Sequence, residues 1–135
     1  MFYTKNKFAI LILILVLFGL FFSYKFKTLN SKEELVFFEL DGKIYLLKQA
    51  KTEKEWQRGL MFVKKPVNYD GMIFVFPEKK IRTFWNKNTF LDLDIYWLND
   101  EKIVGKDFLP SIEKSKEMIM KTSPAPVNKV IEIIK

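Results

Sequence analysis

The stretch LVFFELDGKIYLLK, residues 35–48, decides the kind of fold that this chain adopts. It consists of two apolar-rich runs, Leu35 to Leu40 and Lys43 to Lys48, joined by Asp41 and Gly42. An Asp-Gly pair between two such runs is a strong hairpin signal, because both central residues of a type I′ turn need a positive φ. The stretch therefore predicts two antiparallel strands at the start of a β domain.

The rest of the chain continues mainly as short apolar runs of strand length. One helix interrupts them: Thr52 and Glu55 form a capping box and Gly59 suits a C-cap, which predicts a helix at about residues 53–58. Seven or eight short strands with one short helix predict a mainly β fold, a small antiparallel barrel or rolled sheet. Further strands are predicted at residues 72–76, 81–85, 91–98, 102–109, 117–122 and 127–134.

The N-terminal part of the chain has the composition of a membrane-spanning segment. Residues 8–24 contain no charged side chain, and as a helix they span roughly 25 Å, near the lower limit for crossing a membrane. No small-residue cleavage site follows, so residues 1–27 are predicted to be an uncleaved signal anchor. Residues 28–34 are predicted to be a linker and residues 35–135 the domain. The short N-terminal tail predicts a single-pass protein of the cell membrane with its C-terminal domain outside the cytoplasm.

Charge and composition exclude several classes of chemistry. The sequence has 23 basic and 16 acidic residues, but four of the basic ones lie at or before Lys27, which leaves +3 for the remainder. The excess at the membrane segment suits anionic lipid, and nucleic acid is not expected as a partner. Histidine and cysteine are absent, which excludes histidine-based triads, thiol chemistry and His or Cys zinc sites. We predict no cofactor and no metal site.

The stretch FWNKNT, residues 84–89, is the clearest candidate for a binding site. Two aromatic residues precede four polar ones without glycine or proline. In one interpretation Trp85 is a stacking platform, and Lys87, Asn88 and Thr89 bind a sugar or another polar fragment of the cell envelope. In the other, the aromatic residues enter the core and the polar side chains satisfy loop backbone groups. The residues alone leave both open.

Three charged residues elsewhere are further candidates. Asp92 and Asp94 are two apart on a predicted strand, so their carboxylates project from one face about 7 Å apart. They could serve two-carboxylate hydrolysis, or they could form a solvated face that pairs with lysines. Arg58 either pairs with Glu55 on the helix surface or faces a pocket.

Three blocks of the sequence resemble those of the DUF192 (UPF0127) family of uncharacterised prokaryotic proteins. They are AKTEKEWQRGLMF at residues 50–62, DGMIFVF at residues 70–76 and FWNKNTFLDLDIYWLNDEKIV at residues 84–104. The resemblance covers about residues 35–134. It implies a compact β-barrel-like domain, often exported or membrane-tethered, with no established activity.

The chain departs from the family pattern at four positions within these blocks or beside them. Asn86 stands where the family usually has methionine, and Asp92 where it has proline. Trp56 and Val63 stand where it has arginines, the side chains best suited to hold an anion.

These observations lead to three functional hypotheses. The first is a membrane-anchored binding or accessory module for carbohydrate-like envelope material. The second is a carboxylate-based hydrolase that uses Asp92 and Asp94, and the third is a subunit that docks on a membrane protein. Binding is favoured over catalysis because the chain offers no histidine and no activated nucleophile. The candidate ligand-binding residues are Trp85, Lys87, Asn88, Thr89, Asp94 and Arg58.

Overall fold

The structure is a computed structural model that describes residues 12–19 and 33–135. Residues 12–19 are helical and their side chains are exposed. Among the described residues no helix has both the length and the apolar character needed to cross a membrane. The rest of the predicted anchor, and the linker up to residue 32, lie outside the described residues. Residues 34–135 form a compact unit of their own.

The compact unit is mainly β, as the sequence predicts. Its helices are α1 (Glu53–Arg58) and α2 (Ile112–Ser115). Its strands are β1 (Leu35–Leu40), β2 (Lys43–Ala50), β3 (Gly71–Lys80), β4 (Thr83–Trp85), β5 (Leu93–Asn99), β6 (Lys102–Leu109), β7 (Met120–Thr122) and β8 (Val127–Ile134).

The predicted hairpin is confirmed. Strands β1 and β2 pair antiparallel, and the turn residues Asp41 and Gly42 have φ values of 52° and 75°. Both values lie in the left-handed region that a type I′ turn requires. Helix α1 has the predicted bounds and the complete capping box, with Thr52 as N-cap and Glu55 at the third helical position.

The prediction of a purely antiparallel sheet is wrong for one pair of strands. The main sheet has the order β1-β2-β3-β8-β5-β6, and β2 and β3 run parallel. A parallel connection needs a crossover of a dozen or more residues, and the segment 51–70, which contains α1, supplies it. The prediction also missed α2, which begins after the N-cap Ser111.

The sheet is open rather than a closed barrel. In the described part of the chain, β1 and β6 are its two edges and do not pair with each other. Apolar side chains of both edge strands, Val36 and Phe38 from β1 and Ile103 from β6, nevertheless pack on the same core cluster. The sheet therefore curves, so that its edges approach across one face.

The other face of the sheet carries the larger core cluster and the candidate site. The cluster includes Met72 and Phe74 from β3, Ile95 from β5 and Val130 from β8. Trp56 of α1 and Phe84 of β4 pack against the cluster. The C-terminal strand β8 lies between β3 and β5, so its side chains alternate between the two buried faces.

Candidate functional site

A cavity of about 420 Å³ opens beside α1, β3, β4 and β8. This volume lies in the range of small-molecule sites. Aromatic side chains form most of its apolar wall, and their rings contact one another through pairs such as Trp56 with Phe76, 4.9 Å apart, and Phe74 with Phe84, 4.8 Å apart. The cavity thus combines an aromatic wall with polar and charged side chains in the rest of its lining.

Helix α1 brings Trp56 and Arg58 to the cavity. The helix begins where Thr52 Oγ1 accepts from the Glu55 N–H, while Glu55 Oε2 accepts from the backbone N–H groups of Lys51 and Thr52. The hydrogen bond from Lys51 is the main reason that the pKa of Glu55 lies below its usual value. Trp56 Nε1 donates to the Ala50 carbonyl at 3.1 Å, which fixes the indole against the pocket wall.

The cavity also holds a buried acid, Glu132 on β8. Glu132 is 3% exposed, and its Oε2 atom has no hydrogen-bond partner among the described residues. Pairing in register with Met72 of β3 and Ile95 of β5 places it in the middle of the sheet, between apolar neighbours. Burial raises the pKa of the Glu132 carboxyl to about 8, so it is mostly protonated at neutral pH. An unpaired acid with a perturbed pKa in a cleft is typical of functional sites.

Two arginines lie in the same lining. Arg58 is exposed and forms no ion pair with the described residues. The guanidinium of Arg82 lies 3.9 Å from the centre of the Phe76 ring and donates through Nη2 to the Glu78 carbonyl, while its buried Nε has no partner among the described residues. The cavity therefore contains free donors on two cationic side chains.

Some residues of the FWNKNT stretch line the cavity, and others hold neighbouring segments of the fold together. Trp85, 46% exposed, and Thr89, which is buried, both line the cavity. Lys87 lies outside the lining, with its Nζ 5.5 Å from the Trp85 ring centre. The carbonyl of Asn88 accepts from the Phe62 N–H at 2.8 Å, which is a loop contact. The position of Trp85 and Thr89 leaves the binding interpretation a prediction, and the contact of Asn88 is made by its backbone and not by its side chain.

Asn86 is the architectural residue of this stretch. It is fully buried, and its Nδ2 donates to the Pro110 carbonyl at 3.0 Å and to Ser115 Oγ at 2.8 Å. Its Oδ1 accepts from the Ile119 N–H at 2.8 Å. One amide thus joins the end of β4 to the segment around α2 and to the approach to β7.

Replacing this amide by a methyl group should destabilise the domain strongly. We expect Asn86→Ala to lower the free energy of unfolding by about 3 kcal/mol, because several buried backbone and hydroxyl groups lose their partner at once. Urea unfolding of the full chain in mild detergent measures the loss. Asn128→Ala is the control: within the described part of the chain its amide bonds only the exposed Asp100, so the substitution should cost less than about 1 kcal/mol. Equal losses would contradict the role assigned to Asn86.

The two aspartates of the hydrolase hypothesis lie away from the cavity. Asp92 Oδ1 accepts from the Ser111 N–H at 2.8 Å, the main reason that the pKa of Asp92 is lowered, and Oδ2 pairs with Lys114 at 2.9 Å. Asp94 pairs with Lys135 at 3.2 Å. It lies opposite Ile133 in register, one position from Glu132, and so projects from the other face of the sheet. Each aspartate is engaged by a lysine.

Of the six candidate residues, the structure brings three together. Trp85, Thr89 and Arg58 line the cavity, whereas Lys87, Asn88 and Asp94 do not. The described residues contain no group of three or more acidic side chains placed to hold a metal ion.

Sequence reasoning missed Glu132 and Arg82 as site residues. A signal for Glu132 exists: in VIEII, residues 130–134, a single acid interrupts a run of apolar residues. Side chains of a strand alternate between the two faces of its sheet. When both faces are buried, an acid on either face is shielded from solvent. No comparable signal marks Arg82, which follows the charged segment Glu78-Lys79-Lys80 and resembles a surface residue.

Together, fold and site define a small β domain built on one mixed sheet, with a ligand-sized aromatic cavity on one face. The chain belongs to the DUF192 family, whose model, described as an uncharacterised ACR, matches residues 36–135. This confirms the resemblance seen in the three sequence blocks. No curated protein sequence matches the chain.

Two crystal structures have a similar fold. A protein of unknown function from Novosphingobium aromaticivorans DSM 12444 is 23% identical, with a TM-score of 0.64 over 78% of this chain and 76% of its own. A protein from Sinorhizobium meliloti 1021, provisionally described as a transcription regulator, is 26% identical, with a TM-score of 0.58 over 76% of this chain and 79% of its own. The first similarity concerns the fold alone.

Proposed function

We propose that this protein is a membrane-anchored module that binds carbohydrate-like material of the cell envelope outside the cytoplasm. The observation that carries the binding role is the cavity itself, because it combines an exposed Trp85 with a buried Glu132 whose Oε2 atom has no hydrogen-bond partner among the described residues. Anchoring rests on the uncharged residues 8–24, and the outward orientation rests on the short N-terminal tail.

The chemistry of the lining suits a sugar ring. An exposed indole offers a flat apolar face on which the C–H face of a sugar can stack, and Trp85 lies at the cavity with much of its ring accessible. A protonated carboxyl offers one hydrogen-bond donor and one acceptor, the same pair that a hydroxyl offers. A hydroxyl of the ligand would therefore satisfy the buried Oε2 of Glu132, whose lack of a partner is otherwise costly.

Removing the stacking platform tests this function. We expect Trp85→Ala to weaken binding of an envelope glycan at least tenfold while the melting temperature of the unliganded protein changes little, since the ring is half exposed. The measurement is thermal unfolding of the full chain in detergent against a panel of envelope glycans and phosphorylated sugars. A ligand at a hundred times its dissociation constant adds about 2.7 kcal/mol, or several degrees.

Phe37→Ala is the matched control, because Phe37 is also an exposed aromatic residue, 78% accessible, but does not line the cavity. It should leave every ligand-induced shift unchanged. A flat panel from well-folded protein would contradict the binding function. It would direct attention to the third hypothesis, docking on a membrane protein, for which the exposed Phe37 and Ile44 beside the β1 edge are the best surface.

A further inference from the structure

The fixed charges of the cavity lining favour an anion. Arg58 and Arg82 contribute two positive charges, and Glu53 contributes the one exposed carboxylate, which already accepts from Gln57 Nε2 at 3.3 Å. The buried acid adds no negative charge while it is protonated. The lining is therefore net positive at neutral pH, which disfavours an ammonium group.

The two arginines are available for an anionic group. Arg58 forms no ion pair within the described part of the chain, and the buried Nε of Arg82 lacks a partner there. Guanidinium groups bind phosphate and carboxylate through parallel N–H donors. The guanidinium carbon of Arg82 lies 3.9 Å from the centre of the Phe76 ring, and this contact limits the freedom that the side chain would lose on binding.

We propose that the ligand is an anionic sugar or polyol, whose ring stacks on Trp85, whose hydroxyl bonds Glu132 and whose phosphate or carboxylate is bound by Arg58 and Arg82. This inference rests on the proposed binding function and adds the chemical class of the ligand. Glucuronate and glucose 6-phosphate serve as probes for a carboxylate and a phosphate, respectively. Glucose, which has the sugar without the anionic group, and inorganic phosphate, which has the anionic group without the sugar, serve as comparisons.

The first test is a titration of the full chain in detergent, followed by tryptophan fluorescence. Two of the three tryptophans, Trp56 and Trp85, line the cavity and so report on binding. We expect at least one anionic sugar to bind about tenfold tighter than both glucose and inorganic phosphate, since one charge-assisted contact is worth about that factor. Comparing the two probes shows which anionic group fits.

Two variants, each of which removes one positive charge from α1, distinguish binding by Arg58 from a general electrostatic attraction of the protein for anions. Arg58→Gln should lower the affinity for the preferred anionic sugar about tenfold and leave glucose unchanged. Lys54→Gln removes one charge from the same helix outside the lining and should change neither affinity more than about twofold. Equal binding of glucose and the anionic sugars would overturn the inference while leaving the binding function intact. Failure of every sugar to bind would contradict both.

The second test uses pH. The charged residues that line the cavity together with Glu132 are Glu53 and Arg58 from α1 and Arg82 from the connection before β4, while β3 and β5 place Met72 and Ile95 beside Glu132 in register. The test follows the ionisation of Glu132, because burial raises the pKa of its carboxyl to about 8.

An ionised Glu132 would repel an anion and could no longer donate a hydrogen bond. With a pKa of about 8, the affinity for glucuronate should fall roughly tenfold from pH 7 to pH 9. Glu132→Gln keeps a donor and an acceptor, so it should bind at pH 7 within a fewfold and lose the dependence on pH. A glucuronate affinity that stays constant or rises from pH 7 to pH 9 would overturn the inference.

Discussion

Raising the pH from 5 to 8 is expected to lower the free energy of unfolding of this domain by several kcal/mol, with an upper limit of about 5 kcal/mol. The cause is Glu132, whose pKa rises from 4.5 to about 8 on burial. Between these values the unfolded chain has lost the proton that the folded domain retains, so each pH unit costs about 1.4 kcal/mol. The stability is fully present below the lower pKa, and the loss is complete above the upper one.

The composition of the chain makes this effect unusually easy to isolate. No histidine is present, so no side chain with an ordinary pKa titrates between pH 5 and 8. The pKa values of Glu55 and Asp92 are lowered by backbone hydrogen bonds from Lys51 and Ser111, and their contributions to stability are lost only in more acidic solution. Urea unfolding of the full chain in detergent at several pH values therefore reports mainly on the Glu132 side chain.

Glu132→Gln supplies the control. Its amide cannot ionise, so its stability should be nearly constant from pH 5 to 8 and should exceed that of the original protein increasingly as the pH rises. The two curves should differ by only about 1 kcal/mol at pH 5 and converge below the lower pKa of 4.5, where the original carboxyl is neutral in the unfolded chain as well. Parallel curves would show that the Glu132 carboxyl reaches solvent or a partner, contrary to the structure.

Gly71→Ala is expected to prevent folding altogether. Gly71 is the first residue of β3, and a Cβ at this position would lie 2.0 Å from the backbone oxygen of Glu132 and 3.0 Å from its carbonyl carbon. Backbone atoms cannot move away as a flexible side chain can, so β3 and β8 would separate at this end. These two strands form the centre of the sheet, and the cost should exceed about 4 kcal/mol, much of a typical domain stability.

Gly42→Ala provides the comparison. A Cβ at Gly42 meets no atom within 4 Å, so its cost is the positive φ of 75° alone, about 1 kcal/mol. Gly42→Ala should give folded protein with a cooperative transition, whereas Gly71→Ala should give protein without one. A cooperative Gly71→Ala domain of normal stability would contradict the close approach of β3 to β8.

The local elements of this protein are predictable because their signals are local. The Asp41-Gly42 turn and the capping box of Thr52 and Glu55 depend on residues no more than three apart, and both form as expected. Strand β3 is longer than its local sequence signals predict. The strand predicted at residues 72–76 continues past Pro77 to Lys80 through an irregularity in its pairing with β8, where the missing N–H of a proline is tolerated.

The candidate site was only partly predictable, for a different reason. Trp85 and Thr89 are predicted as site residues because aromatic and polar residues are adjacent in this stretch, and both line the cavity. Asp94 has a similar local appearance, but the register of β5 with β8 turns it to the other face. Asn86, in the same stretch, proved to be the buried amide that joins three segments. Local composition does not specify which side of a sheet a residue will face.

By itself the sequence determined the mainly β class, the hairpin, helix α1, the family and the absence of histidine and thiol chemistry. Only the tertiary structure decided that β2 and β3 run parallel and that β8 enters between β3 and β5. The physical reason is that strand order depends on how buried faces pack across the whole chain, which no short stretch encodes. That placement carries Glu132 into the centre of the sheet, and the unpaired acid beside the cavity exists because of it.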